Sequence, residues 1–199
     1  MKRKFERVYQ FVVRLEGIEP PIWRRIQVPE TYDFWELHVA IQDAMGWADY
    51  HLHEFLIRNP VTGKQEEIGI PDEDGEMEII PGWRRKIASY FSEANSLARY
   101  VYDFGDDWVH TLELERILPR DKHVVYPVCV AGERSCPPED CGGVGGYKDF
   151  LEIIMDSSHE QYEEMNVWAG GDFDPERFDP SRVVFDDPQK RWKIAFEEA

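Results

Sequence analysis

Hydrophobic and polar positions alternate in two early stretches of the chain. Apolar side chains occupy odd-numbered positions from residue 5 to 15, namely Phe5, Tyr9, Phe11, Val13 and Leu15. The alternation returns at Ile22, Arg24, Ile26 and Val28, after the break GIEPP. A period of two is typical of half-buried strands, and a Gly/Pro break between two of them indicates a β-hairpin. The pattern therefore predicts a first hairpin over residues 5–28.

The next stretch changes to a helical period. Asp33 is a good N-cap with Glu36 three residues later, the spacing of a capping box. Gly46 stands where helix-terminating glycines occur. One face of this predicted helix is apolar: Phe34, Leu37, Ile41, Ala44 and Met45. A short strand, HEFLIR, follows at residues 53–58.

The rest of the chain divides into a strand-rich and a loop-rich part. The acidic, turn-rich residues 59–86 predict an irregular segment, and residues 86–97 predict one short helix or none. Residues 99–104 and 108–117 predict the two strands of a second hairpin. Beyond residue 126 a loop leads to helical patterns near residues 147–155, 157–170 and 187–197. We therefore predict an α+β fold: two β-hairpins and a capped helix form a mostly antiparallel, β-grasp-like core with a helix-rich C-terminal part. We expect a single domain over residues 1–199, in which a loop- and helix-rich segment 126–199 packs onto a strand-rich segment 1–125.

The composition restricts the cellular setting and the partners. The chain has 199 residues with 40 acidic and 23 basic side chains, a net charge of −17. Residues 101–199 carry 23 of the acidic and 10 of the basic side chains. This charge repels a phosphate backbone, so we expect no direct nucleic-acid binding and favour a basic protein partner. Apolar runs are too short for a signal peptide or a membrane span, which predicts a cytoplasmic protein.

The segment YVYDFGDDWVH, residues 100–110, contains the Asp-Phe-Gly triplet that holds magnesium in protein kinases. A kinase is excluded because the catalytic-loop and glycine-rich motifs are missing. Gly105–Asp106 between two apolar runs is also a tight hairpin-turn signal. The polar residues of this segment, Asp103, Asp106, Asp107 and His110, are thus either turn residues or candidate ligands. His110 alternates with apolar neighbours and is expected to point inward.

A second histidine pair lies in HLHEF. His51 and His53 are two residues apart, so they share one face of a strand and suit a shared metal ion. Packing explains His53 nearly as well, because it begins an apolar strand. If this segment meets the 100–110 segment in space, the two form one candidate binding site: His51, His53, Asp103, Asp106, Asp107 and His110.

Cys129, Cys136 and Cys141 lie in a Gly/Pro-rich loop. Thiolates select zinc, and Cys136 and Cys141 approach the spacing of a structural zinc site. A fourth ligand would come from His110 or His123. The alternatives are buried free thiols and a disulfide, which a reducing cytoplasm disfavours.

Four of these segments, PPIWRR (20–25), HLHEF (51–55), YDFGDDWVH (102–110) and CPPEDCGGVGGY (136–147), together resemble the plasmid pRiA ORF-three-like family. The resemblance implies a compact α+β domain without an established activity. Some members are labelled transposon-associated and resolvase-like, but the acidic C-terminal half has no basic DNA-binding region. The aromatic-rich hairpins, the absent catalytic motifs and the strong acidity of the chain lead us to expect a non-enzymatic binding or protein-interaction module. The alternative is a metal-assisted hydrolase that uses the histidines and aspartates named above.

Overall fold

The computed structural model describes residues 4–71 and 79–197, and within them one mixed sheet of eight strands dominates the molecule. The strands are β1 Arg7–Leu15, β2 Trp23–Pro29, β3 His53–Arg58, β4 Gln65–Gly69, β5 Ile80–Pro81, β6 Leu97–Tyr102, β7 Trp108–Pro119 and β8 Val128–Glu133. The helices are α1 Phe34–Met45, α2 Gly143–Ile154, α3 Tyr162–Trp168 and α4 Pro188–Phe196. Strand order is β5-β4-β3-β6-β7-β1-β2-β8, and every pair is antiparallel except β4 with β5. The predicted α+β class and the mostly antiparallel sheet are confirmed, whereas the β-grasp comparison and the single-domain division stay predictions.

The first hairpin forms as predicted, because β1 pairs with β2 in antiparallel register with Phe11 opposite Ile26. The alternation also places Arg24 on the buried face, where only 1% of its surface is exposed. An apolar period of two therefore brings one full positive charge into the interior.

Helix α1 begins and ends at the predicted residues. The Asp33 side chain accepts from the Glu36 backbone N–H at 3.0 Å, and the Glu36 carboxylate accepts from Asp33 N–H at 2.9 Å. Gly46 ends the helix with φ of 90°, a left-handed conformation that glycine adopts without strain. This reciprocal cap fixes the start of the helix that covers the sheet.

The second hairpin also forms, but its turn differs from the tight turn predicted at Gly105–Asp106. Tyr102 pairs with Trp108, so five residues, 103–107, connect the strands. The positive φ angles fall on Asp103 (58°) and Asp107 (52°), and Gly105 has none. The two-residue turn interpretation is therefore wrong, and the aspartates themselves adopt the left-handed conformation, which Asp tolerates better than most residues.

Three strands and one short segment depart from the prediction. The acidic stretch 59–86 contains strands β4 and β5, and its residues 72–78 lie outside the described residues. Strand β8 lies where we predicted a loop, and it pairs with the edge of β2. In residues 86–97 a short 3-10 turn at Ile87–Ser89 takes the place of the possible helix, and Leu97 already begins β6. Short edge strands have weak periodicity, and their partner strand decides their conformation.

The C-terminal elements contribute to the same buried cluster as the sheet. Tyr147 and Phe150 of α2 belong to one buried cluster together with residues of β1, α1 and β7. Helix α4 starts with the predicted Asp187 cap and Pro188 at its first position, and Trp192 packs against Trp35 of α1 with ring centroids 5.4 Å apart. Within the described part of the chain, none of the helices combines the length and apolar character that a membrane crossing needs.

Candidate functional site

Three loops meet at the end of the sheet where β3 begins and where β6 turns into β7. The 48–52 loop and the 103–107 turn are joined by the backbone, because Asp103 N–H donates to the Leu52 carbonyl at 2.9 Å. Tyr50 N–H donates to the Tyr102 hydroxyl at 3.0 Å, which ties the 48–52 loop to the end of β6 just before the turn. The HLHEF and YDFGDDWVH segments, about 50 residues apart in sequence, therefore form one surface.

The third loop, 136–143, is held by Glu139. Its carboxylate accepts from the Tyr102 hydroxyl at 2.5 Å and from Ala48 N–H at 2.7 Å, so it bonds the 48–52 loop and the end of β6 from which the 103–107 turn starts. Burial and the Glu139 carboxylate raise the pKa of Tyr102 far above its ordinary value, which keeps the hydroxyl protonated as a donor.

A second contact seats the 103–107 turn against the N-terminus of α2. Gly142 N–H donates to the Asp106 carboxylate at 3.1 Å. A Cβ at Gly143 would collide with the Asp106 carbonyl, and φ there is 67°, so this close approach requires glycine. The glycines of CGGVGG thus allow the loop to reach the turn.

At this junction the side chains of His51, Asp103 and Asp140 converge. His51 Nε2 lies 3.0 Å from Asp140 Oδ1 and 3.6 Å from Asp103 Oδ2, and the candidate ligand atoms all lie within 4.8 Å of one another. Asp103 Oδ1 accepts from Gly105 N–H at 2.9 Å, which fixes the carboxylate and leaves Oδ2 facing the histidine. The side chain of Asp103 is 10% exposed, against 31% for His51 and 66% for Asp140. The cluster is therefore anchored on one side and open to solvent on the other.

The donor set of this cluster has a definite metal chemistry. One imidazole and two carboxylates suit divalent ions such as Mn²⁺, Fe²⁺ or Zn²⁺. Ligand–metal distances near 2.0–2.2 Å require ligand atoms about 3–4 Å apart, close to the observed spacing. Three protein ligands leave further coordination positions for water or a bound molecule, the arrangement of open sites rather than closed structural ones.

His53, although predicted with His51, lies in the core. It is 1% exposed, and its ring stacks on the buried His38 with centroids 3.4 Å apart and 6° between planes. Burial, and next the neighbouring His38, lower the pKa of His53 well below its ordinary value. His38 Nδ1 is hydrogen-bonded to the Tyr100 hydroxyl at 2.9 Å, and its Nε2 to Asp49 Oδ1 at 2.8 Å. This histidine pair therefore belongs to a buried polar network behind the surface cluster.

His110 is also inside, as its alternation with apolar residues predicted. It is fully buried, with its ring 5.5 Å from that of Trp47 and 5.3 Å from that of Tyr100. Neither ring nitrogen has a hydrogen-bond partner among the described residues. Burial lowers the pKa of His110 to about 4, so the ring is neutral at pH 7.

The three cysteines are free thiols in the structure. Cys129 is buried, and burial raises the pKa of Cys136 and of Cys141 to about 12. Of the described residues, those whose ligand atoms converge are His51, Asp103 and Asp140, and this group contains no cysteine. Zinc at Cys129, Cys136 and Cys141 stays a prediction that an elemental analysis can decide.

The sequence named two members of the cluster and missed the third. His51 and Asp103 were candidate residues, whereas Asp106 and Asp107 lie in the same turn with structural bonds of their own. Asp140 gave no signal in a chain with 40 acidic residues. The one indication of its importance is its position in CPPEDC, a segment that contributes to the family resemblance.

Fold and site together define an α+β protein with a mostly antiparallel sheet and a histidine–aspartate cluster at one end. The chain belongs to the family described as plasmid pRiA4b ORF-3-like protein, whose model matches residues 7–182. The uncharacterized protein y4hQ of Sinorhizobium fredii (strain NBRC 101917 / NGR234) is 34% identical over 189 residues, with 93% of this chain and 94% of that protein covered. The crystal structure of MM3350, a protein of unknown function from Methanosarcina mazei Go1, is 50% identical with a TM-score of 0.85, covering 92% of this chain and 100% of that one. Neither relative has a stated activity, so the transposon association stays a prediction.

Proposed function

We propose that this protein is a binding module whose ligand site is the three-loop edge, with a divalent metal ion held by His51 Nε2, Asp103 Oδ2 and Asp140 Oδ1. The observation that supports it is the convergence of these atoms from three separate loops, within 4.8 Å of one another. Two carboxylates also supply the negative charge that a divalent cation requires.

The surroundings of the cluster favour binding of a further molecule. Tyr50, Leu52 and Phe104 flank His51 and Asp103 in sequence, and their surfaces are 78%, 51% and 47% exposed. Large apolar side chains grouped at one exposed edge are typical of contact surfaces, and aromatic residues supply much of the binding energy there. The net charge of −17 supports a basic protein as the partner, since charge complementarity accelerates association.

A metal titration tests the proposal. EDTA-treated protein is titrated with Mn²⁺, because manganese prefers carboxylate and imidazole to thiolate and so distinguishes this cluster from the cysteines. We expect one ion per chain, and a loss of at least about 10–100-fold in affinity for His51→Gln and for Asp140→Asn, the range that even outer-sphere partners of metal sites show.

The matched control is Glu93→Gln, which removes one exposed carboxylate outside the cluster. It should leave Mn²⁺ affinity unchanged. Equal affinity in Asp140→Asn and Glu93→Gln, or no stoichiometric binding, would show that the cluster is only a solvated group of acids. Zinc that depends on Cys136 and not on His51 would instead support the separate thiol site.

The second candidate function is metal-assisted hydrolysis. It is favoured by the open side of the cluster, because a three-ligand ion can hold and activate a water molecule. Metal-dependent turnover of ester or phosphoester substrates, abolished together with Mn²⁺ binding in His51→Gln, would support it. Metal binding without turnover, combined with salt-sensitive capture of a basic partner, supports the binding module.

A further inference from the structure

A groove of about 610 Å³ lies between the end of α1, the 135–139 segment and the 169–184 segment. Its volume is in the range of small-molecule sites in proteins. It includes the buried arginine of the PPIWRR segment, which the metal site does not use. The inference drawn from this groove does not depend on the proposed function.

Arg24 reaches the groove from strand β2. Its guanidinium stacks on the Phe178 ring, 3.7 Å from the centroid. Nε donates to the Ala44 carbonyl at 2.9 Å, and Nη1 donates to the Trp23 and Glu133 carbonyls at 2.9 Å each. These three bonds hold the end of α1 against β2 and β8, and they leave Nη2 without a hydrogen bond to the described residues.

The charge of Arg24 has no counterion. In the described part of the chain no carboxylate lies within ion-pair distance of it. A buried unpaired charge costs several kcal/mol, because water is removed and nothing of opposite charge replaces it. Carbonyls at the C-terminal end of α1 compensate part of this cost, since the helix dipole is negative there. An anion in the groove would compensate the rest.

The other charges of the groove select a singly charged ligand. Arg177 and Arg182 line it together with Asp43, Glu139 and Asp179, so with Arg24 the lining carries three charges of each sign. The three carboxylates already accept bonds within the protein. They would still repel a polyanion such as a nucleotide, whereas a monoanion at Nη2 of Arg24 is repelled less.

Most of the remaining lining is apolar and includes Met45, Trp47, Phe173, Phe178 and Val183. We propose that the groove binds a small molecule with one carboxylate on an apolar body, the carboxylate placed at Nη2 of Arg24 and the body against these side chains. Nη2 still offers two N–H donors, and a carboxylate accepts charge-assisted hydrogen bonds from such donors.

The binding experiment uses 3-phenylpropionate as the probe and the isosteric 3-phenylpropanamide as its neutral counterpart. The Trp47 indole N–H, which donates to the Pro137 carbonyl at 2.9 Å beside the groove, is the NMR reporter. The protein is treated with EDTA first, so that the carboxylate of the probe cannot bind to a metal ion elsewhere on the protein. We expect the carboxylate to shift the Trp47 signal and the amide to bind at least tenfold more weakly, because charge-assisted hydrogen bonds are about twice as strong as neutral ones.

Variants at the groove rim test the role of charge without touching the bonds of Arg24. Val184 lines the groove and is 78% exposed, so Val184→Glu and Val184→Lys should fold normally. We expect Glu to weaken and Lys to strengthen probe binding by up to about fivefold, the size of an exposed charge pair. The control, Val61→Glu, alters a residue that is 90% exposed outside the groove and should leave binding unchanged.

Three results would overturn the inference. The first is equal binding of the carboxylate and the amide, and the second is an equal effect of Val184→Glu and Val61→Glu on binding. The third is no shift of the Trp47 signal up to about 10 mM probe, a concentration at which a ligand with a Kd of about 1 mM occupies most of its site. Binding of the carboxylate with the expected order of the Val184 variants would support it.

Discussion

Replacement of His110 by leucine should make the protein more resistant to acid. The native ring is fully buried and neutral, and its pKa falls from the ordinary 6.5 to about 4. Between these two pH values the unfolded chain binds a proton that the folded chain does not. Stability from this residue is therefore complete above pH 6.5 and is lost as the pH falls toward 4. One pKa unit corresponds to about 1.4 kcal/mol, so the loss between pH 7.5 and pH 5 is about 2 kcal/mol.

Leucine has a similar volume and no titrating group. Neither ring nitrogen of His110 makes a hydrogen bond of good geometry with the described residues, and the backbone of Tyr100 and Trp108 opposes the effect of burial on its pKa only in part, so the replacement removes no strong bond. We expect His110→Leu to be neutral or stabilising at pH 7.5. At pH 5 it should exceed the native protein in unfolding free energy by about 2 kcal/mol more than at pH 7.5.

Urea unfolding monitored by tryptophan fluorescence at both pH values measures this difference. His123→Leu, at an exposed histidine, is the matched control and should follow the native protein. Parallel loss of stability in the native protein and in His110→Leu would refute the reasoning. An NMR titration of the His110 ring with a midpoint near 6.5 would do the same.

Two further substitutions test how the loops and α4 are held. Arg191 bonds Asp43 Oδ1 at 2.7 Å and lies 3.4 Å from Asp49 Oδ2, so Arg191→Met removes the arginine counterion of two buried carboxylates and should cost up to about 3 kcal/mol at pH 7. Since burial raises the pKa of Asp43 to about 6, that carboxyl is protonated at pH 5 and the cost in urea unfolding should be smaller there; a pH-independent cost would contradict the assignment. Gly143→Ala should lower the unfolding free energy by about 2 kcal/mol or more, because φ is 67° and the facing turn leaves no room for a Cβ. Gly145→Ala, with open space around its Cβ position in α2, should stabilise by up to about 1 kcal/mol, and equal thermal shifts for both alanines would contradict the close approach.

The local sequence determined the elements whose signals lie within a few residues of one another. Asp33 and Glu36 cap α1 as their spacing predicts, and Gly46 ends it, because capping needs only backbone groups of the same turn. Alternation predicted both hairpins and the inward direction of His110, because the side chains of a strand alternate between its faces.

Tertiary structure decided which elements became neighbours, and with that the candidate site. Nothing local indicates that β7 also pairs with β1, or that the unpredicted β8 pairs with β2. Long-range pairing depends on the total burial of the sheet and on competition between edges, and neither is contained in a short window of sequence. The same packing placed His53 in the core, away from His51, and brought Asp140 into contact with His51, from which it is 89 positions distant in the sequence. The sequence supplied the ligand types, and only the closure of three loops placed them within reach of one ion.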